Sequence, residues 1–77
     1  MTIDVDELAD KATIIVMGYA FLPMKRHYWQ VVNLHNPTQV AVIYKGKIHE
    51  TNMDDLEIRK VMMFYSNNKQ FLKDNDA

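Results

Sequence analysis

The stretch ATIIVMGYAFLP, residues 12–23, decides how this chain folds. Upstream of it Val5, Leu8, Ala9 and Ala12 recur at helical spacing, and Ile15, Val16 and Tyr19 continue the same stripe. Asp6, Glu7, Asp10 and Lys11 fall on the opposite side. Asp4 as N-cap, Glu7 three residues on and Ile3 stapled against Leu8 make a helix start. These features predict an amphipathic helix from about Val5 to about Tyr19. The β-branched run Thr13 to Val16 also suits a buried strand, and Gly18 and Pro23 both weaken a helix. A strand there would add a member to the sheet and change which sheet face is exposed.

Downstream the pattern is simpler. Tyr28 to His35 is aromatic and β-branched with no helical stripe, Asn36-Pro37-Thr38 is a turn, and Gln39 to Tyr44 reads as a second strand. Lys45-Gly46 is a tight connection, with Gly46 supplying positive φ, into a third strand, Lys47 to Thr51. Thr51 or Asn52 caps a second helix, with Asp54 and Asp55 in its first turn where the dipole favours negative charge. Ile58, Val61, Met62 and Tyr65 form its apolar stripe, widened by Leu56, Met63 and Phe64. It ends at Asn67-Asn68 or runs on to Phe71 and Leu72, and residues 74–77 read as a frayed tail. The expected fold is α+β in one small domain over residues 1–77: a helix, a three-stranded antiparallel β-meander, and a helix.

Composition bounds the function. A chain of 77 residues has room for one core, and with no cysteine it has neither a disulfide framework nor a thiolate metal site. A net charge of -1 supplies no general attraction to phosphate, so nucleic-acid binding would need a local basic patch. The apolar stretch is shorter than the ~20 residues of a membrane span, and Asp4, Asp6 and Glu7 precede it where a secretory signal is basic. A cytoplasmic location is the expectation.

Pairing His35 with Gln39 collects Tyr28, Val32, Leu34, Val40, Val42 and Tyr44 on one sheet face, and Trp29, Val31, Ala41 and Ile43 on the other. Pairing Tyr44 with Lys47 adds His49 to the first face and Ile48 to the second. Both faces are apolar. Either the helices cover one face each, or both lie on one face and the other is left for a partner protein or a second copy of the chain.

Catalytic chemistry is thinly supplied. The only serine is Ser66 near a helix end, Asp54-Asp55 suits capping, and Gly18 and Gly46 cannot build a phosphate loop. His27, His35 and His49 have no metal-ligand spacing, so no metal, cofactor or catalytic residue is expected. The leading expectation is a non-catalytic protein-interaction module, an adaptor, inhibitor or regulatory subunit, using Tyr28, Val32, Leu34, Val40, Val42 and Tyr44. The alternative is a nucleic-acid-binding domain using Lys25, Arg26 and Trp29, a charged and aromatic cluster suited to phosphate contact and base stacking. The expected element order resembles that of the double-stranded RNA-binding domain. Where that family carries a lysine cluster at the last helix, this chain has Asn52-Met53-Asp54-Asp55, which repels phosphate.

Overall fold

A computed structural model describes residues 5–72 of the chain. Asp4 and Ile3, assigned above to the first helix start, and the tail at 74–77 lie outside the described residues. The elements run α1 (Val5–Lys11), β1 (Ile14–Val16), β2 (Tyr19–Pro23), β3 (Tyr28–Asn33), β4 (Val40–Tyr44), β5 (Lys47–Thr51) and α2 (Asp55–Asn67), then a 3-10 turn, Lys69–Phe71. All five strands form one antiparallel sheet in the order β1-β2-β3-β4-β5. The expected three-stranded meander between two helices is therefore corrected to a five-stranded one. The double-stranded RNA-binding element order goes with it.

The correction lies in residues 12–23. The first helix stops at Lys11, and the β-branched residues after it pair with the next segment, Ile14 opposite Phe21 and Val16 opposite Tyr19. Met17 and Gly18 form the two-residue turn between them, with φ of 49° and 84°. A tight hairpin turn with both central residues at positive φ matches the twist of the strands it joins. Ladder hydrogen bonds between residues 14–16 and 19–21, with the burial of Tyr19, Ala20, Phe21 and Leu22 that the hairpin achieves, thus outweigh the helical stripe. The second hairpin turn, Lys45-Gly46, has the same geometry, with φ of 50° and 81°, and pairs Tyr44 with Lys47 as expected.

In the β3–β4 pair, Val32 lies opposite Val40 and Tyr28 opposite Tyr44, two residues away from the register expected from His35 and Gln39. A shift of two preserves parity, so every side chain stays on its assigned face. β3 ends at Asn33, and His35 belongs to the loop. Between Val42 and Ile43 the β5 register slips, opening a bulge at His49.

The helices take opposite faces. α2 covers the face bearing Tyr19, Phe21, Trp29, Val31, Ala41 and Ile43, with Val61, Tyr65, Met53 and Leu72 closing the main core. α1 covers part of the other face, where Leu8 and Ala12 pack on Ala20, Leu22 and Val32, with Leu34 and Val40 alongside. Asp54, rather than Thr51 or Asn52, caps α2: its carboxylate accepts from the Glu57 backbone N–H at 2.8 Å. Asn52 instead holds the strand end, accepting from the Val40 N–H at 2.9 Å and donating to the Thr38 carbonyl at 2.7 Å. α2 stops at Asn67, where the Asn68 amide donates to the Phe64 carbonyl at 2.9 Å, and the 3-10 turn swings Leu72 into the core while leaving Phe71 exposed.

Candidate interaction surface

Strand spacing sets what α1 can cover. Five strands about 4.8 Å apart span roughly 19 Å between the outermost axes. A helix of 7 residues is only about 10 Å long and about as wide. It reaches Val32, which is buried, with Leu34 and Val40 partly covered beside it. Tyr28, Val42 and Tyr44, on the same face beyond the helix, remain only half-buried. The six residues expected to form one partner surface are thus divided between a small second core and a region that neither described helix covers.

The uncovered region is aromatic. Tyr28 and Tyr44, cross-strand partners, place their ring centroids 4.4 Å apart, and the bulge turns His49 edge-on to Tyr28 at 5.7 Å. The Lys45 ammonium lies 5.4 Å from the Tyr44 ring centroid. Beside the rings the irregular β4–β5 pairing leaves a depression of about 630 Å³ along Val42, His49 and Glu50.

Its charge comes from two turns. A meander places alternate turns at the same end of the sheet, so Lys25 and Arg26 of the β2–β3 turn meet Lys45 and Lys47 of the β4–β5 turn. The Lys45 N–H donates to the His27 carbonyl at 3.1 Å and fastens the two turns together. Neither segment 24–30 nor 43–49 contains an acidic residue, so a chain of net charge -1 carries a basic end. Lys45 and Lys47 were missed as site residues in the sequence because some twenty positions separate them from Lys25, and only strand pairing brings them together; His49 was assigned to the Tyr28 face, where the structure places it. Trp29, proposed above to stack a base, is 1% exposed and sits in the main core on the opposite face.

A polar cluster at the other end fastens α2 to the sheet. Glu57 accepts from the Tyr19 hydroxyl and from the Asn33 amide, each at 2.8 Å. With its amide nitrogen turned toward the carboxylate, Gln39 donates to the second oxygen at 2.9 Å. Burial, then the hydrogen bond to Glu57, pushes the Tyr19 phenol up from 10.0 to about 12. A phenol that keeps its proton more tightly when folded contributes stability below pH 10 that disappears as pH rises toward 12. Chemical denaturation between pH 9 and 12 should therefore show a falling alkaline limb that Tyr19→Phe flattens. An unchanged limb in that variant would place the titration elsewhere.

No group of three His, Cys, Asp or Glu among the described residues is arranged to hold a metal ion. No helix among them is long and apolar enough to cross a membrane.

Architecture and surface together define a small α+β domain, a five-stranded meander with one helix on each face and a basic, aromatic end. The chain belongs to the family of unknown function DUF7723, whose model matches residues 2–72. No curated protein and no solved structure matches it.

Proposed function

We propose that this protein is a non-catalytic protein-interaction module that binds an acidic surface of a partner through the uncovered Tyr28, Val42, Tyr44 and His49 region. The observation that supports this most is the shortness of α1. It leaves Tyr28, Tyr44 and Val42 only half-buried; tyrosine is enriched at protein interfaces, and the neighbouring lysines supply charge that suits an acidic partner. Single-stranded nucleic acid competes for the same cations. Stacking requires open ring faces, however, and here Tyr44 already has Tyr28 and Lys45 against its ring while Trp29 is buried. Those contacts favour a protein partner.

Val42→Asp tests the reading, because it places a carboxylate in the centre of the surface without touching the main core. Wild-type and variant chains, immobilised side by side, would be challenged with host lysate with and without nuclease. The expected result is a discrete protein retained by wild type after nuclease, released by raised salt, and absent from the variant. The variant should still melt cooperatively within about 5 °C of wild type. Retention that nuclease abolishes would transfer the surface to nucleic acid. General unfolding of the variant would show that this face is core.

A further inference from the structure

We propose a second docking surface at the opposite end of the molecule: a notch between the β1–β2 turn and α2, walled by Met17, Met63 and Phe64 and rimmed by Lys60 and His35. Its occupant is a bulky apolar side chain on a partner segment flanked by acidic residues. It does not depend on the tyrosine surface.

Met17 is the first reason. It occupies the left-handed region, φ 49°, at a turn position that Asn, Asp or Gly adopts with less strain. The residue is 78% exposed, so little packing offsets that strain. Folding alone gives no reason for a methionine there, whereas an adaptable apolar side chain at a hairpin tip is well suited to contact a partner.

The surroundings give the notch its shape. Met63, 52% exposed, lies on α2 one turn beyond Lys60, and Phe64 beside it packs against Tyr19 at 5.8 Å. The hairpin tip is held in place: the Leu34 N–H donates to the Gly18 carbonyl at 2.8 Å, and the His35 ring lies so close to Gly18 that a Cβ there would come within 2.8 Å of it. The resulting space is about 430 Å³, room enough for a large side chain.

Charge chooses the occupant. The side chains of Lys60 and His35 make no hydrogen bond or ion pair among the described residues. The nearby Glu57 carboxylate is occupied by Tyr19, Asn33 and Gln39. An acidic segment finds an unused cation, Lys60, at the rim, with the His35 ring beside it as a hydrogen-bond partner. Symmetric pairing of two copies through this notch would bring Lys60 toward its own counterpart, which disfavours that mode of self-association.

The test uses the full chain with 13C-methyl-labelled methionine and two hexapeptides sharing a central Leu-Phe pair, one flanked by glutamates and the other by lysines. The glutamate peptide is expected to shift the Met17 and Met63 methyl signals, and Lys60→Glu to weaken it by about tenfold. Met17→Asn should raise the melting temperature by relieving the turn while weakening the peptide. A merely structural Met17 would not produce that opposed pair of changes. Equal shifts from both peptides, no shift at millimolar peptide, the same shifts from decanoate alone, or a Met17→Asn variant that melts lower would each overturn the proposal.

Discussion

Trp29→Ala is expected to lower stability by roughly 3–5 kcal/mol. Trp29 is among the largest fully buried side chains, and its removal opens a cavity in the main core between the sheet and α2. Domains this small sit near the lower end of the ~5–15 kcal/mol range of folding stabilities, so much of the population should unfold. Guanidinium denaturation followed by far-UV circular dichroism would read this as a large loss of midpoint. Tyr44→Ala provides the contrast: half-buried on the uncovered region, it should change stability by only about 1 kcal/mol while weakening partner binding. If instead Trp29→Ala left the midpoint unchanged, the assignment of this ring to the core would be wrong.

Glu57→Ala should have the next largest effect, on the order of 3 kcal/mol, because it strands several donors at once. Tyr19, 8% exposed, would lose the acceptor for its hydroxyl, and the Asn33 and Gln39 amides would lose theirs. Glu57→Gln keeps one acceptor oxygen and should recover part of the loss. The phenol supplies an independent readout: without the carboxylate its pKa should fall back from about 12, visible as earlier tyrosinate absorbance on alkaline titration. A midpoint indifferent to both substitutions would mean that packing alone positions α2.

The two ends of the sequence differed in legibility. β3, β4 and β5 were visible because each is bounded by turn residues, and Lys45-Gly46 set the Tyr44–Lys47 pairing directly. The β3–β4 register moved by two residues because Asn33 to Gln39 forms a longer loop closed by Asn36 N–H to Asn33 carbonyl and Gln39 N–H to Asn36 carbonyl bonds. Parity survived, and with it the division between the Tyr28 and Trp29 faces. The β1–β2 hairpin was hidden. α1 and α2 cover opposite sides of β2, so Tyr19, Ala20, Phe21 and Leu22 are all buried and show no alternation. A short apolar run of that kind fits a helix or a strand equally well. The turn itself carries Met17 where Asn or Asp would have signalled a hairpin.

The proposed interaction surface divides in the same way. Its aromatic members, Tyr28 and Tyr44, were assigned to one face from period-two spacing, which is a local property of any strand. Three further features are tertiary: the covering of Val32 by Leu8 and Ala12, the turning of His49 toward Tyr28 by a bulge, and the meeting of Lys25 and Arg26 with Lys45 and Lys47. By itself the sequence determined three strands, their faces, the second helix and the absence of cysteine chemistry, because these depend on residue type and spacing within a few positions. Only the tertiary structure decided that residues 14–23 are strands and which apolar residues remain uncovered. Both outcomes depend on what packs against a segment, and that is set by residues distant in the chain.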